Sequence, residues 1–372
     1  MRNKTGVTMQ KKMGATMQAW LKEHNLRDLV DNNRIYLLVG VVFVFMALAA
    51  PNFLTVFNLT NILRGTTLGA MAAIGFTYVM IAGQLDLSIA TVINLAAVFT
   101  IGMQPKLGWP LAIAAGVLSG VFVGWINGLL VAKGKINSFI VTLGTMTVLQ
   151  GFTYMYCKGG SLNISDFALG DWMEKAAVPF LPPRVVITIL LVVFFEVMLR
   201  KTRYGKGYFV VGGNRHTAWL AGLKTDRYLI GSFMFSGLTA AVSGVLFSIS
   251  ISSAVPNMGE KGVSPLMTVI AATIIGGTSM AGGKGSVVKS AVAVLLLTML
   301  SNGLNCFGAG YEVQILASGM VLSVVVLYEA FVLYKQGKLK GMRPELLRSA
   351  IEPTDRHSAG SGASPDAMSK SG

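Results

Sequence analysis

MIAGQLDLSIATVI, residues Met80 to Ile93, interrupts what would otherwise be one long apolar run and sets an acid, Asp86, between two hydrocarbon-length segments. Thr66 to Ala82 precedes the break and Leu87 to Met103 follows it, both rich in Ala, Ile, Leu, Val and Met. A carboxylate at membrane depth is costly unless it is buried in protein, paired or facing water. Gly83 lets the backbone turn tightly. Asp86 and Ser88 can cap the following helix by accepting backbone N–H bonds. A plain helix-turn-helix corner with an N-cap accounts for the same spacing. Even that corner, inside a membrane, is tolerated only where protein or a water-filled path covers it.

Composition sets the class. Hydrophobic residues make up 53% of the 372, charged residues only 13%, and mean hydropathy is +0.62. A soluble domain carries about 25% charge. The chain therefore reads as an all-α polytopic membrane protein. Its net charge of +15 is concentrated in hydrophilic blocks between and beyond the apolar runs. That is the positive-inside pattern, which points to membrane lipids and cytoplasmic partners and away from nucleic acid.

Ten apolar segments of near-spanning length follow a polar start: 35–54, 65–82, 87–103, 109–132, 138–156, 184–200, 229–254, 265–281, 286–305 and 312–334. Each approaches the length that crosses ~30 Å of hydrocarbon, and the third and eighth are short enough to be tilted or re-entrant. With the N-terminus inside, the inner loops hold Lys133, Lys135, Lys201, Arg203, Lys206, Arg215, Lys224, Arg227 and Lys284. The outer loops hold Lys106, Lys158, Lys175 and Lys261, with Arg184 at a span edge. This asymmetry predicts about ten transmembrane helices with both termini cytoplasmic, in a bacterial cytoplasmic (inner) membrane.

The expected organisation is a basic N-terminal segment (1–34), a membrane domain (35–334) and a largely disordered Ser/Gly/Pro-rich tail (335–372). The N-terminal segment has no h-region or cleavage site, so it is not a signal peptide. Met13 to Leu29 can form an amphipathic helix lying on the inner leaflet, or less simply a binding element.

Three hydrophilic stretches carry information. The outer loop Cys157 to Pro183 holds Asp166, Asp171, Trp172 and Glu174, and either covers the bundle or meets an extracytoplasmic partner. In the inner loop Lys201 to Arg227, Gly212-Gly213-Asn214 reads as a turn. Asn214 then caps a short helix from Arg215 to Ala221 that Gly222 ends. Ala218, Trp219 and Leu223 suit a groove on a partner, or a resting place on the membrane surface. The third stretch, IIGGTSMAGGKGS from Ile274 to Ser286, superficially resembles a phosphate loop. Lys284 is followed by Gly285 where that loop needs Ser or Thr, and no strand precedes it. A Gly-rich turn that lets helices approach closely is the better account.

Taken together, these residues resemble the permease subunits of ABC importers for monosaccharides, the ribose, xylose and galactose group. The likeness lies in Pro51-Asn-Phe-Leu-Thr55, Asn58-Leu-Thr-Asn-Ile-Leu63, and Gly83-Gln-Leu-Asp86-Leu87-Ser88, where Gln84 replaces a second glycine. It continues through Gly124-x-x-Asn127-Gly128, Lys133-Gly134, Phe139-Ile-Val-Thr-Leu-Gly144 and Gly212-Gly213-Asn214. Gly276-Gly-Thr-Ser279, Ala281-Gly-Gly-Lys-Gly285 and Asn302-Gly303-Leu304 complete it. The resemblance implies that the 201–228 loop carries a coupling helix, with Gly213, Asn214, Ala218, Trp219 and Gly222, that docks on a cytoplasmic ABC ATPase subunit. Ala218 and Gly222 match the family's core, whereas Arg215 stands where a glutamate is usual and His216-Thr217 is atypical. It also implies a second permease copy, identical or paralogous, and an extracytoplasmic sugar-binding protein. No cofactor belongs to this subunit, since ATP and Mg reside in the partner ATPase.

Within the spans, Asn94, Asn127, Thr142, Thr145, Gln150 and Asn302 can line a sugar pathway or tie helices together. Glu196 precedes Arg200 by four residues, which suits an ion pair. The sparse membrane acids argue against a secondary transporter with its own ion site. No nucleophile–base pair or metal cluster is visible for an enzyme, and His24, His216 and His357 all lie in hydrophilic segments. Cys157 and Cys306 cannot define a metal site, and a disulfide between them is not expected. A branched-chain amino acid permease is the nearest rival.

Overall fold

The computed structural model describes residues 26–175, 181–257, 265–310 and, within 312–327, residues 312–317, 319, 320, 323, 324 and 327. The expected amphipathic segment ahead of residue 26, most of the tenth span and the basic tail lie outside the described residues. Residues 324–372 form a separate unit.

The described elements are helical apart from one short pairing. They are α1 (Leu26–Ala49), α2 (Val56–Ile81), α3 (Ile89–Ala132), α4 (Ser138–Tyr156), β1 (Leu162–Asn163), α5 (Ala168–Glu174), α6 (Pro183–Lys201) and α7 (Arg203–Gly213). Then come α8 (Arg215–Leu220), α9 (Thr225–Ile251), β2 (Ser253–Ala254), α10 (Pro265–Ile275) and α11 (Val287–Cys306). Four of them, α2, α3, α9 and α11, are long and apolar enough to cross a membrane. The protein is an all-α membrane protein.

Several boundaries differ from the sequence reading: the first helix runs Leu26–Ala49 against the expected 35–54, and the eighth segment's helix ends at Ile275 against the expected 281. The second span starts a good two turns earlier, at Val56, because Thr55 caps it: its hydroxyl accepts the Asn58 N–H at 3.3 Å. Gly212 and Gly213 do not form a turn; they finish α7, which runs unbroken to the Asn214 cap.

The third and fourth spans are the two arms of α3, folded back on each other at Gly108. That residue has φ 70° and ψ 170°, a conformation open to glycine, and Pro105 and Pro110 flank it. Beyond the bend, Gly116, Gly120, Gly124 and Gly128 repeat every fourth residue and form a ladder of close approaches. A Cβ at Gly120 would stand 2.4 Å from the Gly237 carbonyl oxygen, and one at Gly124 would stand 2.2 Å from that of Phe233. Small residues at this spacing let helix backbones touch, which drives association where lipid removes the hydrophobic incentive. The ladder seats the second arm of α3 on α9.

The other arm meets α9 at Gly244, where a Cβ would stand 2.2 Å from the Ile93 carbonyl oxygen. Alpha-helix α2 lies on the opposite side of α9, with Gly75 against the Ser236 backbone. Residues 69–81 of α2 are all buried, as are residues 89–98 of α3. The core of the bundle is thus α2, both arms of α3, and α9. Alpha-helix α11 packs outside α2 and contacts α1 and α6 as well.

At one end of the bundle, residues 157–175 are held against the helices. Strand β1 pairs antiparallel with β2, Leu162 opposite Ala254 and Asn163 opposite Ser253. Asp166 accepts from the Trp109 indole at 2.8 Å, just past the α3 bend. Glu174 binds Arg64 of α2 at 2.8 Å and Arg184 of α6 at 3.0 Å. Cys157 and Cys306 are free thiols.

Candidate functional site

The Asp86 break is the most polar point of the core, and the fold satisfies it with hydroxyls and amides. Alpha-helix α2 ends at Ile81, Gly83 takes φ 74°, and a non-helical segment through a turn at Leu87 and Ser88 leads into α3. Asp86 is 2% exposed. Its Oδ1 accepts from the Ser88 backbone N–H at 3.0 Å and from the Ser88 hydroxyl at 2.6 Å. Its Oδ2 accepts from the Ser236 hydroxyl of α9 at 2.6 Å.

The network continues outward from Ser88. The Asn127 amide donates to the Ser88 hydroxyl at 3.0 Å, and Thr145 of α4 donates to the Asn127 Oδ1 at 2.7 Å. Two further N–H groups of the break point at α4: Leu85 donates to the Ser138 hydroxyl at 3.2 Å and Leu87 to Thr142 at 3.1 Å. From Leu85 to Ser88 the non-helical N–H groups at Leu85, Leu87 and Ser88 are thus met by protein, the condition under which such a break survives in a membrane, while Gly83 is exposed.

This revises the role expected for Ser88. Its hydroxyl makes no cap bond, because it is already committed to Asp86 and Asn127. Asp86 alone meets the backbone of the helix start.

The predicted pathway residues divide between several places. Asn127 and Thr142 belong to the Asp86 network. Asn94 is fully buried on the first arm of α3, and Gln150 is half-buried on α4. Asn302 is remote from all of them: it exchanges two amide bonds of 2.9 Å with Asn58, tying α11 to the start of α2. Sequence reasoning missed Ser138 and Ser236, and it quoted Asn58 only within a family motif, without its tie to Asn302. Only their small polar side chains inside apolar runs could have flagged them.

Below the break, three backbone segments meet at glycines. The Gly283 N–H donates to the Ile81 carbonyl at 2.8 Å. A Cβ on Gly212 would stand 1.7 Å from that same carbonyl oxygen, and one on Gly282 would stand 2.6 Å from the Gly212 oxygen. The end of α2, the end of α7 and the Gly-rich loop after α10 thus form one junction. The close approach expected of that loop is realised here.

Alpha-helix α8 follows directly. Asn214 caps it by accepting the Thr217 N–H at 2.9 Å, and Gly222, with φ 82°, closes it as Leu223 N–H reaches back to Ala218. Ala218, expected to meet a partner, is instead buried within this chain. The face turned outward carries Trp219 and Leu220, 62% and 66% exposed. Arg215 pairs with Asp226 at 2.7 Å, which gives the atypical arginine an intrachain role. The helix borders a cavity of about 1000 Å³ lined by Lys133, Lys135, Trp219, Lys224 and Arg227, among others.

Glu196 does more than pair with Arg200. Its Oε2 accepts the Val287 N–H at 2.6 Å and its Oε1 accepts the Ser286 hydroxyl at 2.9 Å, so it caps α11 from α6. No group of three or more His, Cys, Asp or Glu side chains is placed to hold a metal ion among the described residues.

Residues 58–329 match the family model described as branched-chain amino acid transport system / permease component. The chain is 34% identical over 204 residues to the ribose import permease protein RbsC of Bacillus subtilis (strain 168), covering 55% of this chain and 62% of that protein. It is 32% identical over 211 residues to the L-arabinose transport system permease protein AraH of Escherichia coli (strain K12), with 55% and 62% covered. The galactose/methyl galactoside import permease protein MglC of Haemophilus influenzae is 32% identical over 216 residues, with 56% and 62% covered. In each of these three the chain spans a little under two thirds of the relative's length. No solved structure matches. The family match extends from the start of α2 past the end of α11 and takes in the Asp86 break, the glycine junction and α8; by it, this chain belongs to the family of permease components typified by branched-chain amino acid transport systems.

Proposed function

We propose that this chain is the membrane permease subunit of an ABC importer for a monosaccharide. The observation that carries this reading is the connection between α8 and the Asp86 break. An exposed Trp219–Leu220 pair sits on a short capped helix at the inner end, and α7 before it closes on the backbone of α2 at Ile81. A force applied to α8 therefore reaches the helix end that leads directly into the break.

In this reading, a separate ATPase subunit binds the Trp219–Leu220 face, and ATP with Mg is consumed there. This chain is not an enzyme and holds no cofactor. Gly213, Asn214, Ala218 and Gly222 shape the coupling helix, Ala218 by seating it on its own chain. Two permease copies, identical or paralogous, enclose the pathway, and a soluble or lipid-anchored binding protein delivers the sugar to the outer loops. Ten spans with both termini inside a bacterial inner membrane complete the arrangement, as the distribution of lysine and arginine supports.

The relatives' names, ribose, L-arabinose and galactose, favour a pentose or hexose over the amino acid in the family's description. Asn94, Asn127, Thr142 and Gln150 stay candidates for pathway contacts; Asn302, paired with Asn58, is better read as a helix tie.

The test is to reconstitute the chain with its ATPase and binding protein, and compare wild type with Trp219→Glu after confirming equal membrane insertion. Trp219 is a cleaner target than Gly222, whose φ of 82° makes any side chain strained. Sugar-stimulated ATP hydrolysis should fall at least tenfold, because a buried unpaired carboxylate replaces an aromatic contact. Unchanged stimulated hydrolysis would exclude α8 as the coupling element. Stimulation by leucine but by no sugar would select the branched-chain amino acid reading.

A further inference from the structure

The cavity of about 1000 Å³ beside α8 carries unbalanced charge. Lys133, Lys135, Arg215, Lys224 and Arg227 line it, and the one acid in the lining is Asp226. That acid is taken: its Oδ1 accepts from the Arg215 guanidinium at 2.7 Å. Lys133, Lys135, Lys224 and Arg227 are exposed and have no carboxylate within ion-pair reach among the described residues. Water serves such cations well for as long as the cavity stays open, and only then.

Both walls are held by the chain's own bonds. After α3, the Gly134 N–H reaches back to the Leu129 carbonyl at 3.2 Å and the Ile136 N–H to that of Leu130 at 3.4 Å. These bonds fix the short connection that carries Lys133 and Lys135 ahead of α4. On the other wall, the Arg215–Asp226 pair clamps α8 to the first turn of α9, beside Lys224 and Arg227. The cations therefore stand on a preformed concave surface.

Trp219 belongs to this surface and to the docking face at once: it lines the cavity and is 62% exposed on α8. Resting on the reading of α8 as the docking helix, a protein that covers Trp219 and Leu220 also closes over the cavity. It then takes four cations out of water, and a buried charge without a partner is strongly destabilising. The other segments of this chain are poor complements. Residues 1–25 hold five cations and one acid, and residues 328–372 hold seven cations and five acids. A second copy would set the same cations against each other.

We propose that the ATPase subunit fills this cavity with aspartate and glutamate side chains, and that this charge pairing selects which ATPase the permease accepts. Trp219 and Leu220 supply the apolar part of the contact. The three lysines bring mobile point charges to the partner's carboxylates, and Arg227 brings a fork that can hold one of them bidentately. Complementary charge speeds encounter, fixes register and rejects a surface of the wrong sign. The partner is thus a protein with an acidic patch beside the groove that takes α8.

The experiment measures binding of the ATPase subunit of the same importer to the full chain in neutral detergent. It is run at about 0.1 M and about 1 M salt, between which the screening length falls from roughly 10 to 3 Å. Wild-type affinity should drop at least tenfold over that change. Lys133→Glu/Lys135→Glu should weaken binding at least tenfold at the lower salt and lose most of the salt dependence, because like charges then face each other. Lys106→Glu/Lys158→Glu, the same charge change outside the cavity, should leave binding unchanged. If the first pair does not insert, Lys224→Glu alone should weaken binding about threefold at the lower salt. Weakening by Trp219→Glu with none by the cavity variants would overturn the acidic complement and leave α8 as the docking helix; no weakening by either would overturn both. An equal loss in Lys106→Glu/Lys158→Glu would overturn the site. Saturable phosphatidylglycerol binding that Lys133→Glu/Lys135→Glu abolishes, with ATPase affinity unchanged, would overturn the proposal in favour of a lipid headgroup.

Discussion

Gly212 stands so close to Ile81 that a Cβ placed on it would lie 1.7 Å from the Ile81 carbonyl oxygen. That oxygen also accepts the Gly283 N–H, so it cannot retreat without breaking a backbone bond. Gly212→Ala must therefore separate α7 from α2. A loss of about 2–4 kcal/mol in unfolding free energy is expected, in the range of severe overpacking. Gly213→Ala meets nothing within 4 Å and should be near neutral. Chemical denaturation of both variants in detergent checks the contrast; equal stability of the two would refute the junction.

Asp86 gathers three donors, and its value lies in accepting all of them. Asp86→Ala leaves the Ser88 N–H, the Ser88 hydroxyl and the Ser236 hydroxyl facing a void, a cost of roughly 2–4 kcal/mol. Asp86→Asn keeps one carbonyl oxygen and should cost less than half of that. Thermal unfolding of the three proteins should rank wild type above the Asn variant and the Asn variant well above Ala.

Asn58 and Asn302 make a pair of reciprocal amide bonds, so each amide depends on the other. A double-mutant cycle with Asn58→Leu and Asn302→Leu should return a coupling energy of about 0.6–2 kcal/mol. Additive effects would instead mean that Asn302 acts elsewhere, as it would if it faced the transported sugar.

The proposed orientation places Lys175 outside and Lys224 inside, and both are exposed. In a Cys157→Ser/Cys306→Ser background, a membrane-impermeant thiol reagent added to intact cells should modify Lys175→Cys and spare Lys224→Cys. Labelling of Lys224→Cys from outside would invert or break the ten-span arrangement.

How much of this was legible follows from how far each signal reaches along the chain. The break between the third and fourth spans was readable as a gap holding Lys106 between two apolar runs, but the hairpin that Pro105, Gly108 and Pro110 make of it was not read. Helix α8 was readable because its cap, Asn214, lies three residues from the N–H it satisfies. The Asp86 break was readable as an anomaly, but its solution was not. Ser236 lies 150 residues away, and one serine in an apolar helix resembles any other. Glu196 was assigned its local partner, Arg200, while its bonds to the start of α11 cross about ninety residues. Ala218 shows the opposite failure: a small apolar residue on a short helix fits a partner's groove and its own chain's core equally well, and only packing chooses between them.

The clasp between Leu162–Asn163 and Ser253–Ala254 is made of main-chain groups, so it does not depend on which side chains stand there, proline excepted. It fixes the segment after α4 to the end of α9 while Phe167 and Trp172, 55% and 56% exposed, point away. Substitution can therefore rewrite the face this segment shows to its surroundings without unseating it. Sequence drift at those positions changes the surface at this end of the protein while the bundle beneath stays the same.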